Sequence, residues 1–490
     1  MRTIINQLLL LFLLTGAFLI MPTVLYFKLA DRSSEFPWRY VRRYKIHTDH
    51  AGYFTTPFKT GSDVTRACLK CHKKAAKDLM HTSHWTWLNC DDVTPSEAKG
   101  HKKIGKRNLI NNYNISVENN WAACTTCHVG YGWLDKKFDF TDQNRVDCLV
   151  CHALKGTYAK GEGGLPARGV DLLAAAKSVA WPKNDNCLIC HNYSGGAAGA
   201  CHGGSHSSVH KSDLALDVHI GGNHFYCIDC HQTKKHHIMG KSMSLNTLDR
   251  HSFDCTSCHA PSPHRDNRLN SHTRAVSCQA CHIPEVAVGR EAQVYWDWSK
   301  AGQEKKNADP RLFQEKMGEF RFKKNLKPEY YWFDGSCDRY LEGDKIDPTK
   351  VTVLNQPGGK LLNPDARIWP FKVHRGKQVY DKENKYFLKP VFIGEEGFWE
   401  DYDWEVALET AANRGGLPFS GEYDFAETVM FRPLSHLVVT KQRALACRDC
   451  HGAGGRMNWE TLGYREDPIL VGDRRNTLNL KESEGTGNGG

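Results

Sequence analysis

One short pattern occurs eight times in this sequence: two cysteines separated by two residues, with a histidine directly after the second. It reads Cys68-Leu-Lys-Cys71-His72, Cys124-Thr-Thr-Cys127-His128, Cys148-Leu-Val-Cys151-His152 and Cys187-Leu-Ile-Cys190-His191. It continues as Cys227-Ile-Asp-Cys230-His231, Cys255-Thr-Ser-Cys258-His259, Cys278-Gln-Ala-Cys281-His282 and Cys447-Arg-Asp-Cys450-His451. Thiols at this spacing on a helical turn reach the two vinyl groups on one edge of a porphyrin. The adjoining histidine then comes under the iron as its proximal axial ligand. Zinc sites pair such units but do not require the histidine. A thioredoxin-like redox pair would occur once, and a disulfide scaffold would not place a histidine after every pair. The pattern is that of covalent attachment of haem c, eight times, with iron as the metal.

Each iron needs a ligand on its other face. The chain has 25 histidines, eight of them in the motifs. Neutral imidazole suits iron, and two of them make a low-spin electron-transfer centre. The candidates for the distal position are His81 or His84, then His202, His219, His236, His251, His264 and His272, with His436 eleven residues before the last motif. His47, His50 and His101 lie in polar, Lys-rich or turn-like sequence and are weaker candidates.

Residues 8–27 form an uncharged apolar run between Arg2 and Lys28. Twenty apolar residues suffice to span a bilayer as a helix. The run reads as an uncleaved signal anchor, the alternative being a signal peptide cut near Thr15-Gly16-Ala17. Both place the remainder across the membrane, and attachment of this haem type is completed outside the cytoplasm. The expected location is the periplasmic face.

The formal charge of the 490 residues is +10. Lys and Arg are dispersed, and each haem adds two propionates, so a nucleic-acid partner is not implied. Successive first cysteines of the first seven motifs lie 56, 24, 39, 40, 28 and 23 residues apart. That is too close for one folded domain per haem, so the haems must pack against one another. The expected fold is mainly α and irregular, built around a packed array of eight haems with little sheet. A helix is expected over 170–179, and a helical turn at each motif. The expected divisions are an N-terminal segment 1–30, a linker 31–62, a seven-haem region 63–284, a haem-free wrapping segment 285–446, an eighth-haem region 447–473 and a disordered tail 474–490.

Beyond the motifs, several segments carry a family resemblance. They are His81-Thr-Ser-His84-Trp85, Val146-Asp147 ahead of the third motif, Leu216-Asp217-Val218-His219, and Ile283-Pro284 after the seventh. Lys327-Pro328-Glu329-Tyr330 and Trp459-Glu-Thr-Leu-Gly463-Tyr464 belong with them. Together these resemble the octahaem tetrathionate reductase family over most of residues 60–470. The resemblance implies seven bis-His haems and one catalytic haem with a lysine amine as its distal ligand, near which a cysteine lies. An amine can bind iron only when desolvated and deprotonated, so it can yield to substrate. Lys177 and Lys160 are the candidates for that lysine. Lys177 is preferred because it sits on an otherwise apolar helical face, and the haem at Cys124–His128 is taken as the active one. Cys90 is the candidate cysteine. Cys201 stands before His202, where the family pattern has a basic residue. Cys90, Cys201 and Cys337 could also supply a disulfide.

The resemblance therefore implies an oxidoreductase fed by a quinol-linked or cytochrome donor and acting on a small anionic substrate. Tetrathionate, cleaved to thiosulfate, is favoured, with hydroxylamine or nitrite as a third possibility. The alternative is a non-catalytic electron carrier with eight bis-His haems linking the quinol pool to other redox partners.

Overall fold

After the seventh motif, side chains begin to alternate between buried and exposed positions. Gly318–Lys323 and Glu329–Phe333 follow this two-residue period, and both are rich in aromatic residues, which suit a pleated half-buried surface. Such segments form strands. The computed structural model describes residues 47–88, 104–112, 116–154, 156–191, 216–240, 253–288, 291–472 and 474. These fall into two compact units, one holding 253–272 and the other the rest.

The strands are β1 (Thr233–Lys234), β2 (His237–Ile238), β3 (Ala292–Asp297), β4 (Phe313–Gln314), β5 (Gly318–Lys323), β6 (Glu329–Phe333), β7 (Cys337–Arg339), β8 (Thr352–Pro357), β9 (Arg367–Asp381) and β10 (Tyr423–Pro433). Eight of them make one mixed sheet in the order β4-β5-β3-β9-β10-β8-β7, with β6 also paired to β9. At its centre β9 and β10 run antiparallel, from Phe371 opposite Pro433 to Asp381 opposite Tyr423. The expectation of a mainly helical and irregular fold with little sheet is therefore incorrect for this chain. The stretch without motifs carries its own apolar order at a period of two, and it closes a sheet with its own cores. One core packs Trp296, Trp298, Phe320, Phe392 and Phe398 against the helix Trp404–Asn413. Another joins Tyr330, Trp332 and Ile368 of the sheet to Ala280 of the seventh motif and to Leu462 and Tyr464 after the eighth.

The preceding residues are short helices and loops around a separate core that includes Trp85, Trp133, Val146 and Leu149. The alanine-rich segment forms a helix over Leu172–Lys177, started by the Asp171 carboxylate accepting the amides of Leu173 and Ala174. The first motif ends the helix Gly61–Leu69, which opens on a reciprocal cap between Thr60 and Asp63. The run 8–27, His101, His202, His251, Cys90, Cys201 and the tail from 475 onward lie outside the described residues. Among the described residues, no helix is long and apolar enough to cross a membrane.

Candidate haem-binding site

Every motif lies on or directly beside a helix or a 3₁₀ turn. In the first, third, fifth, sixth and eighth, the histidine amide donates to the carbonyl of the first cysteine. That bond sets both thiols and the imidazole on one side of the turn. In Cys227–Cys230 and Cys447–Cys450 the aspartate inside the motif reaches back to the amide preceding the turn, at 2.7 Å in each case. The turns also approach one another. Thiols of Cys68 and Cys148, Cys127 and Cys190, and Cys187 and Cys227 lie within hydrogen-bonding reach. Cys281 lies in the field of Cys447, and Cys450 in that of Cys281. Motifs distant in sequence thus bring their attachment edges together, as a packed haem array requires.

The imidazoles supply a direct test of whether haem fits. With a metal–nitrogen distance of about 2 Å, two imidazoles on opposite faces of one iron have ring centroids about 6 Å apart. His72 and His50 are 6.2 Å apart, His191 and His84 6.3 Å, and His231 and His436 6.1 Å. Each pair joins one motif histidine to one from elsewhere in the chain. His152 and His231 direct Nδ1 at the carbonyls of Ala180 (3.0 Å) and Met239 (2.8 Å), so Nε2 is the nitrogen that would face a metal. The residues present fit the group.

His236 lies at the tip of the β1–β2 hairpin. Both turn residues, Lys235 and His236, have positive φ, the geometry of a two-residue turn in which asparagine and glycine are the usual occupants. The turn brings His236 into the field of His152, and its buried Nδ1 meets no polar partner. His219 sits beside Phe225, in a loop held by Asp217. The Asp217 carboxylate accepts the amides of His219, Ile220, Leu437 and Val438, tying this loop to the one that carries His436. His81 is exposed, with Nδ1 on the Lys77 carbonyl, so of His81 and His84 the structure brings His84 to a motif. His264 and His272 are in the separate unit, with Nδ1 on Asn270 and on the Arg268 carbonyl. His50, a weak candidate by sequence, faces His72. Its signal, a histidine in a turn eleven residues before a capped helix, is too general to find from sequence.

The second motif differs. His128 is fully buried, and its ring neighbours are Trp85, Trp87, Trp133, Phe138 and Phe140. None of these neighbours is a histidine. Its Nε2 meets the Trp85 carbonyl at 2.7 Å, and burial pushes the imidazole down to about 3, so it is neutral. Cations rim this cage: Lys106 lies over Trp87, Arg107 over Phe140 and Arg145 over Phe138.

Lys160 is beside this site. Its amine is buried, 2.6 Å from Asp147 Oδ2 and 2.8 Å from the Gly164 carbonyl. Asp147 also accepts the hydroxyls of Tyr131 and Tyr158, each at 2.8 Å, and the Val150 amide. The Lys160 charge bears on Cys127, His128, Cys151 and Cys190, which places it among the second, third and fourth motifs. Lys177 is half-buried at the end of its helix, and the structure does not bring it into this network.

Residues 293–454 match the family model described as bacterial cytochrome c. An uncharacterized protein of Archaeoglobus fulgidus is 23% identical over 239 residues, covering 38% of this chain and 79% of that protein. The structure is similar to that of an octahaem cytochrome c from Shewanella oneidensis, with a TM-score of 0.80 and 40% identity, covering 86% of this chain and 98% of that one. Eight attachment turns, imidazoles paired at about 6 Å and this likeness lead to one conclusion: the chain belongs to the octahaem c-type cytochromes and carries eight covalently bound haems c.

Proposed function

We propose that this cytochrome is an oxidoreductase that passes electrons through bis-His haems to one catalytic haem at the second motif, where a small oxidised sulfur or nitrogen anion is reduced. The observation that carries this reading is the surroundings of His128. It has an aromatic cage and, among the described residues, no histidine as a ring neighbour, whereas His72, His191 and His231 each face one. The sixteen motif cysteines would attach the haems, and the eight motif histidines would be proximal ligands, His128 once its Nε2 is released from the Trp85 carbonyl. His50, His84 and His436 are the proposed distal ligands at the first, fourth and fifth motifs. Lys160 replaces Lys177 as the proposed displaceable ligand, because its amine is the one already buried near His128; to bind iron it would leave Asp147 and give up its proton.

Bound haem supplies one-electron steps at this site. The chain's residues do the rest. Lys106, Arg107 and Arg145 attract an anion, and the rings beneath them exclude water. Asp147 and Gly164 fix the Lys160 amine. Tetrathionate is the favoured substrate: two electrons break its central S–S bond and give two thiosulfates, with no proton consumed. The donor is a quinol-linked or cytochrome partner on the periplasmic side, to which residues 8–27 would tether the chain.

Electron paramagnetic resonance of the oxidised protein tests the site, with one haem expected unlike the other seven. Lys160→Ala should change that signal and Lys177→Ala should not. Turnover of tetrathionate, hydroxylamine and nitrite against a reduced viologen tests the substrate. Eight uniform bis-His signals, unaltered by Lys160→Ala, would leave the non-catalytic electron carrier as the correct reading.

A further inference from the structure

The eighth motif has a feature of its own. Its histidine, His451, directs Nδ1 at a carboxylate: Asp467 Oδ1 lies 2.5 Å away. Asp467 is partly buried, and its position is fixed by two backbone donors, Gly452 N–H to Oδ2 at 2.6 Å and Ile469 N–H to Oδ1 at 3.0 Å. The indole of Trp459 stacks on the His451 ring, with centroids 5.3 Å apart and planes 19° from parallel. The imidazole is therefore held from one side and one edge. At the third and fifth motifs, the same Nδ1 meets a neutral backbone carbonyl instead.

We infer that Asp467 is a positioning residue that sets the eighth haem at a lower reduction potential than the haems at the third and fifth motifs. A carboxylate on the far nitrogen draws the Nδ1 proton toward itself and makes the ligating nitrogen more basic. A more basic ligand stabilises ferric over ferrous iron. A carbonyl carries no charge and does this more weakly. The inference needs the eighth haem to be in place but not the assignment of the second motif as catalytic, so either can fail alone.

The test is a potentiometric titration of the full holoprotein, followed in the visible haem bands and by electron paramagnetic resonance, with Asp467→Asn and Asp467→Ser. Both replacements keep an acceptor for the Ile469 amide and remove the charge. One of the eight one-electron steps should move to a more positive potential while seven stay in place, and the haem content should remain eight. Eight unmoved steps in a variant with all its haems would overturn the inference. So would loss of the eighth haem in both variants, because Asp467 would then be a structural brace.

Discussion

The Lys160 amine lies 2.6 Å from the Asp147 carboxylate, and both side chains are almost wholly removed from solvent. Two charges in such surroundings are tolerated because each meets further partners: Tyr131, Tyr158 and Val150 on the acid, and the Gly164 carbonyl on the amine. Removing one partner strands the other. Asp147→Asn leaves a buried ammonium with one remaining neutral acceptor fixed by backbone, at a cost of about 3–5 kcal/mol. Lys160→Met leaves a carboxylate that keeps three donors, so it should cost less. The double variant should be more stable than Asp147→Asn alone. Denaturant unfolding of the four holoproteins checks this, and additive losses within about 0.5 kcal/mol would mean that the pair is not coupled.

The Gly164 carbonyl that holds the amine depends on a backbone no other residue suits. Gly164 has φ +74°, and a Cβ there would stand 2.4 Å from the Gly130 carbonyl oxygen. Neither oxygen nor turn can give way without moving the Lys160 acceptor. Gly164→Ala should cost about 1–3 kcal/mol and perturb the second haem's spectrum. Gly161→Ala is the control: its nearest atom would be Ala167 Cα at an ordinary 3.5 Å, and the change should stay within about 0.5 kcal/mol. Equal losses from the two would show that general loop stiffness, not this contact, holds the turn.

The attachment turns and proximal histidines are legible in sequence because a covalent group imposes a fixed local spacing. The helix at Leu172–Lys177 is legible for a similar reason, since its alanines and the Asp171 cap are local signals. The sheet is not obvious because its strands are broken by single exposed positions and charged residues. Lys372 and His374 sit buried on β9, where sequence places a polar surface. Distal histidines are the least legible. His436 meets His231 from more than 200 residues away, brought there by Asp217 and the loop from 434 to 439. Sequence favours Lys177 because its neighbourhood is the more apolar. Burial of Lys160 depends on Asp147 and two tyrosines, which no helical periodicity reveals.

Asp217 accepts four backbone amides from two segments, with distances from 2.8 to 3.2 Å. Each buried donor left unmade costs about 1–3 kcal/mol. Asp217→Ala should therefore lose several kcal/mol, and Asp217→Asn, which keeps one acceptor oxygen, roughly half as much. Both loops carry a histidine, so the alanine variant should also disturb the low-spin signal of the fifth haem before global unfolding. Denaturant titration followed in parallel by backbone circular dichroism and haem absorbance checks the order. Coincident transitions would mean that the clamp contributes only to global stability.

The pairings at about 6 Å predict distinct responses from histidines that look alike in sequence. His50→Ala, His84→Ala and His436→Ala should each turn one low-spin haem of the eight into a high-spin one, because each removes an imidazole opposite a motif histidine. His81→Ala should leave all eight unchanged: its ring is exposed and its Nδ1 is satisfied by its own helical turn. The three losses should also differ in kind. His84 adjoins Trp85, whose carbonyl meets His128, and His191 adjoins Cys190, whose thiol is within reach of Cys127, so His84→Ala should slow turnover as well as change spin state. His50→Ala acts at the first motif and should convert its haem without that effect on the catalytic step. Near-infrared charge-transfer bands and electron paramagnetic resonance count the converted haems. A high-spin haem in His81→Ala, or none in His84→Ala, would reassign the fourth motif's distal ligand and, with it, the route by which electrons reach the cage around His128.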